Sequence, residues 1–291
     1  MLIMIIDVHT HIFSPETIDR RDDICYSDAC FRLLYSHPKA RMYSVDELIR
    51  NMDERGISRS VVLNIGWESQ DMCCRTNDYI IGSVARYPDR LIGFCAVQPS
   101  DIQAAIREVE RCGACGIKGI GELRPDVQGF GLNQNESLDA FVEALMRDKM
   151  VLSLHASEPV GHEYPGKGNM VPGLLYEFIK KYPELKVILA HFGGGLPFYE
   201  LMPEVKQFLK NTYYDTAAAP FLYNPDIYNA LGIISQNEKL MFGSDWPLID
   251  PARVIDQIKA TGLGKEQTEN ILYGNAFRLF GPADGQPKAK K

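Results

Sequence analysis

The sequence has no long apolar run, no surplus of positive charge and only six histidines. Its opening run, Met1 to Ile6, stops at Asp7 and is far too short to span a bilayer. The same run lacks the basic flank and small-residue cleavage site of a secretory signal. Lysine and arginine number 31 against 38 acidic residues, so the net charge is −7 and no general attraction to nucleic acid or anionic membranes is expected. Heptads, internal repeats and low-complexity stretches are absent. So are a Walker A sequence, a Gly-x-Gly-x-x-Gly turn opening a helix and a Gly-x-Ser-x-Gly nucleophile elbow. The seven cysteines, an odd number without an export signal, read as reduced thiols. Cys112-Gly-Ala-Cys115 has redox or zinc spacing, but no second pair accompanies it and it falls where a helix should end. A soluble, cytoplasmic protein is the expectation.

What is present is a regular alternation over 291 residues, a length that α/β barrels occupy as one domain. Short β-branched runs recur at Leu2–His9, Ser60–Ile65, Arg90–Val97, Gly116–Leu123, Met150–His155, Leu185–His191, Thr212–Thr216 and Lys239–Asp245. Amphipathic helical stretches separate them, among them one opened by Ser44 with Glu47 three residues on and closed by Gly56. Others are expected over 101–111, 196–210 and 265–280. Eight strand–helix units predict a single, distorted TIM (β/α)8 barrel over residues 1–281. Residues 12–43 follow the first strand without clear periodicity and read as an inserted active-site loop over the catalytic face. Residues 282–291, polar and rich in proline and lysine, read as a disordered tail.

Four of the six histidines fall at the C-terminal ends of proposed strands: His9, His11, His155 and His191. Glu122 and Asp245 end two more, and barrel active sites are built at that rim. Residues two apart on a strand share a face, so His9 and His11 can reach one ion. Neutral imidazoles with hard carboxylates suit Zn²⁺, with Mn²⁺ or Fe²⁺ as alternatives. Arg124, just past Glu122, is a candidate for binding a substrate carboxylate, and Arg41 a second. Trp67 and Trp246 are candidate pocket walls or rim packing, and Asp7 a group that orients His9 or His11. His37 and His162 read as surface loop residues, and the Tyr213-Tyr214 pair as packing.

Four segments carry a family resemblance: Asp7-Val-His-Thr-His11, Pro88-Asp-Arg90 with Gly93-Phe94, Leu189-Ala-His-Phe-Gly193 and Phe242-Gly-Ser-Asp-Trp-Pro247. Together they resemble the amidohydrolase superfamily, in particular the amidohydrolase-2 branch that contains aminocarboxymuconate-semialdehyde decarboxylase, resorcylate decarboxylases and lactone hydrolases. The resemblance implies that His9, His11, His155 and Asp245 hold a catalytic metal, with His191 as acid/base in single-metal decarboxylases. Glu122 departs from that branch and is similar to the bridging ligand of TatD-like hydrolases, where His155 and His191 would hold a second ion. Some relatives carboxylate a strand-four lysine; Lys118, four residues before Glu122, lies about 13 Å lower at roughly 3.3 Å per residue. The resulting expectation is a metal-dependent hydrolase in which Asp245 relays a proton from metal-activated water to the leaving group of a small, carboxylated molecule. The alternative is a non-oxidative decarboxylase of the same family, and a catalytically silent metal-binding barrel is the third. A homodimer without nucleic-acid or membrane partners is expected.

Overall fold

A computed structural model describes residues 4–132, 137–235 and 238–282. Eight parallel strands lie in sequential order: β1 (Ile6–His11), β2 (Arg59–Leu63), β3 (Leu91–Cys95), β4 (Gly119–Leu123), β5 (Val151–Leu154), β6 (Val187–Leu189), β7 (Thr212–Asp215) and β8 (Leu240–Met241). The sheet closes on itself where Val8 N donates to Phe242 O (2.8 Å), Asp245 N to His9 O (2.9 Å) and His11 N to Trp246 O (2.8 Å). The result is the expected (β/α)8 barrel.

Between the strands run α1 (Pro15–Asp19), α2 (Arg21–Ser27), α3 (Ala29–Tyr35), α4 (Val45–Arg55), α5 (Gln70–Arg86), α6 (Ile102–Ala114), α7 (Pro125–Gln128) and α8 (Ser137–Arg147). The second half adds α9 (Pro172–Lys181), α10 (Pro203–Lys206), α11 (Ala219–Leu222), α12 (Asp226–Ser235), α13 (Pro251–Lys259), α14 (Lys265–Glu269) and α15 (Asn275–Phe280), with a π-helical turn at Asn270–Gly274. Helix α4 has the expected box: Ser44 N donates to Glu47 Oε2 at 2.7 Å, and Gly56 ends it in the left-handed region that glycine adopts freely.

Two expectations are corrected. The segment 12–43 is not a loop but three short helices, α1 to α3, each of five to seven residues. Two turns of helix are too few to show a 3.6-residue period. The helix expected over 196–210 shrinks to α10, because Phe192 and Gly193 to Gly195 turn at positive φ and Pro197 and Pro203 remove donors. The expected tail falls largely on residues 283–291, which lie outside the described residues.

The barrel interior explains where the chemistry can sit. Ile6, Val8, Val61, Leu63, Ile92, Phe94, Val151, Ile188 and Met241 form one buried cluster, and Ala276, Tyr273, Phe277 and Phe280 from the C-terminal segment pack against it. This apolar plug fills the lower barrel, so polar side chains gather at the C-terminal rim. Side chains alternate along a strand, yet Ile6, Val8, His9 and His11 all serve the inside. A register shift between Asp7 and Thr10 advances the facing by one residue. A second shift between Ile120 and Leu123 does the same for Glu122 after Gly119 and Gly121.

Candidate active site

Each rim residue is aimed by its strand. His9 and His11 end β1, Glu122 sits on β4, His155 follows β5, His191 follows β6 and Asp245 follows β8. His191 and Asp245 adopt φ of 55° and 65°. Such left-handed conformations cost a non-glycine residue on the order of 1–3 kcal/mol and cluster at functional sites. Gly243 makes the space: a Cβ there would lie 2.9 Å from His9 Cβ and 3.2 Å from Asp215 Cβ.

The donors form two groups that share Glu122. In the first, His9 Nε2 and His11 Nε2 are 3.1 Å apart. Glu122 Oε2 lies 3.7 and 3.9 Å from them, and Asp245 Oδ1 lies 3.6 Å from both. In the second, Glu122 Oε1 lies 2.9 Å from His155 Nδ1 and 3.5 Å from His191 Nε2. Either group can hold a metal ion.

Chemistry favours a cation in the first group. His9 Nδ1 donates to Asp215 Oδ2 at 2.8 Å, which turns its Nε2 toward His11 Nε2. Two nitrogens that close repel unless something positive stands between them. Burial lowers the His9 pKa, but the charges of Asp215 and Glu122 outweigh it and hold the imidazole well above its usual value. The group thus attracts positive charge, here as a proton. Contacts of 3.6–3.9 Å are too long for hydrogen bonds. They are near the separation of about 3.0–3.4 Å that ligands bound at roughly 2.1 Å keep from one another. The donor set therefore fits a divalent metal.

The remaining charges are set by the same contacts. Burial raises Glu122, but the charge of His9, the hydrogen bond from His155 and the close approach of His191 and His9 outweigh it, so the carboxyl stays well below its ordinary range. Burial likewise raises Asp245, and the close approach of His11 with the nearby His9 and His191 charges brings it down to about 2. Burial and the Arg124 charge lower His155 to about 4. It is a neutral imidazole, with Nδ1–H given to Glu122 and Nε2 facing Ser157 Oγ at 3.0 Å. His191 differs. Burial lowers it, but the hydrogen bond and charge of Glu122 prevail and push it up to about 9. Its Nδ1 donates to Ala217 O at 3.1 Å, so Nε2 is the nitrogen that exchanges its proton.

These groups open into a cavity of about 310 Å³. Its walls include Leu34, Tyr35, Ala40 and Arg41 from the inserted segment. Arg124 is also in the lining, 2% exposed, with Nη2 at 3.2 Å from Asp126 Oδ2. His162 is an exposed loop residue, and it stands at this cavity. Trp67 and Trp246 are buried in rim packing, Trp67 stacked on Phe31 and Trp246 tilted against Tyr43. Lys118 is exposed in a groove with Arg147 and Lys149, away from the donors.

Sequence reasoning missed three residues. Asp215 orients His9 and also accepts from the backbone N–H of His191 and Ala217. It ends β7 just as the others end their strands, and the adjacent tyrosine pair masked that signal. Ser157 holds His155, and Tyr35 lies in the inserted segment, where nothing in its spacing marks it.

A gamma-resorcylate decarboxylase from Polaromonas sp. (strain JS666) is 25% identical over 288 residues, 81% of this chain and 86% of the relative. A 2-amino-3-carboxymuconate-6-semialdehyde decarboxylase from Dictyostelium discoideum is 24% identical over 258 residues, 74% and 67% of the two chains. Among solved structures, a 5-carboxyvanillate decarboxylase from Novosphingobium aromaticivorans, complexed with manganese and 4-hydroxy-3-methoxy-5-nitrobenzoic acid, superposes with a TM-score of 0.78. It shares 20% identity, and the match covers 95% of this chain and 96% of that one. That likeness establishes the shared fold. The expectation of a hydrolase is overturned here: these relatives are decarboxylases, the alternative reading. Hydrolysis and decarboxylation can start from one donor set, so the residues alone did not separate them. With the amidohydrolase family profile matching residues 6–281, from the first strand to the end of the last helix, the chain belongs to the amidohydrolase family.

Proposed function

We propose that the protein is a metal-dependent, non-oxidative decarboxylase of a small carboxylated molecule. The similarity to decarboxylases over most of the chain carries this reading, and the site supports it. His9, His11, Glu122 and Asp245 would hold a divalent ion, with His155 fixing the other oxygen of Glu122. Manganese, present in the solved 5-carboxyvanillate decarboxylase, is the ion we propose ahead of zinc. When bound, it would take a substrate oxygen and draw charge from the bond that breaks.

The chain's own residues supply the rest. The carbon–carbon bond to the carboxylate breaks heterolytically, carbon dioxide leaves, and the electron pair stays on the substrate carbon. His191 Nε2 gives that carbon its proton and recovers one from solvent through the cavity. Its raised pKa keeps it charged at neutral pH, and its bond to Ala217 O fixes the ring. Asp245, ionised throughout, is a ligand rather than an acid. Leu34, Phe221, Leu222 and Leu248 give the cavity an apolar side.

The test is carbon dioxide release from a panel of carboxylated aromatic acids in D₂O. One deuterium should appear at the vacated carbon, and His191→Asn should lower the rate about 10²- to 10⁴-fold. Oxygen incorporation from water without carbon dioxide, or an unchanged rate in the variant, would refute the assignment.

A further inference from the structure

The cavity holds three hydrogen-bond donors that neither the metal site nor the proton step uses. Arg41 lines it, with no ion pair or hydrogen-bond partner among the described residues. Tyr35 lines it too, its hydroxyl without a partner among the described residues, while the ring is locked between Phe13 and Phe31 with centroids at 4.9 and 5.0 Å. Its backbone is pinned as well, since Arg21 Nε donates to Tyr35 O at 2.7 Å. Arg124 is the third: its Nη2 meets Asp126, but Nε and Nη1 are buried with no partner. A buried guanidinium with bare N–H groups is costly unless a ligand completes it.

These donors are unsuited to the carboxylate that departs. That group begins as an anion and leaves as neutral carbon dioxide, so charged hydrogen bonds to it would stabilise the ground state above the transition state. They suit an acid whose charge persists through the reaction. We infer that Arg41, Tyr35 and Arg124 form a subsite for a second carboxylate, so the substrate is a di-acid: one carboxylate departs and the other anchors. This inference rests on the decarboxylase reading for the departing group. The anchor contributes equally before and during bond breaking, so it sets KM more than kcat.

The test uses the metal-loaded full chain and two simple probes, benzoate and isophthalate, titrated by calorimetry. The parent should bind isophthalate at least about tenfold tighter, the scale of one charge-assisted hydrogen bond. Arg41→Gln should bring the ratio of the two affinities toward one, and Tyr35→Phe should lower it in the same direction; circular dichroism checks that both fold. Equal affinities in the parent, no binding of either probe, or a ratio unaltered in both variants overturns the subsite. Carbon dioxide release keeps the two readings apart. A di-acid preference without any release leaves the subsite and removes the reaction, and release from mono-acids without a preference does the opposite.

Discussion

At the scale of single residues, the site is governed by which nitrogen each histidine turns inward. Asp215 decides this for His9, Ala217 O for His191 and Ser157 for His155. Carboxylates that orient a metal-bound imidazole typically account for 10- to 100-fold in metal affinity. Asp215→Asn should therefore weaken metal binding by about that factor, measured by competition with a chromophoric chelator, while the far-ultraviolet spectrum stays the same. The pH dependence follows from His191. Its proton is present below a pKa of about 9 and lost as pH rises through it. A bound cation opposes that proton, so the alkaline limb of kcat should fall at or below about pH 9 and disappear in His191→Asn. Metal affinity should rise with pH through neutrality and above, because the proton on His9, held well above the usual imidazole value, competes with the ion. An affinity independent of pH would remove His9 from the ligand set.

At the scale of elements, two strand irregularities and one glycine bring the donors together. The shift in β1 places both histidines inside, and the shift in β4 places Glu122 beside them. Gly243 leaves no room for a methyl group between His9 and Asp215. Gly243→Ala should cost about 1–3 kcal/mol, as overpacking does, and lower metal content per chain. Denaturant titration with elemental analysis reads both, and an alanine variant that keeps its metal would show that the neighbours yield. These irregularities also mark what the sequence could reveal. Strand ends were legible because β-branched runs stop at polar residues, so His9, His11, Glu122, His155, His191 and Asp245 were recognisable as rim residues. Their division into two groups that share Glu122 followed only from the TatD-like resemblance, because bulges leave no trace in residue type. The helices of segment 12–43 were too short to show a period, and Tyr35 went unseen with them. Asp215 was legible in principle, at the same strand-end position as the others.

At the scale of the whole molecule, the barrel seam runs through the site. Asp7, buried and pushed up to about 7 by burial, accepts at Oδ1 from the backbone N–H of His9 and of Ser244, which lies 237 positions away in the chain. The first strand meets the last through His9, His11, Asp245 and Trp246. An ion among His9, His11, Glu122 and Asp245 would tie the two ends of the sheet. Saturating it at about 100 times Kd adds about 2.7 kcal/mol, which should raise Tm by about 4–5 °C, reversed by a chelator. An unchanged Tm would mean that no ion binds the folded barrel in preference to the unfolded chain.

The seam also dates the site within the life of the chain. A ribosome releases β1 first and β8 last, so His9 and His11 emerge long before Asp245 does. Until the eighth strand is out, the two histidines have no barrel wall to complete and no fourth ligand to share. The ion's place is therefore made at the end of synthesis, and a nascent chain arrested before Phe242 should capture no metal.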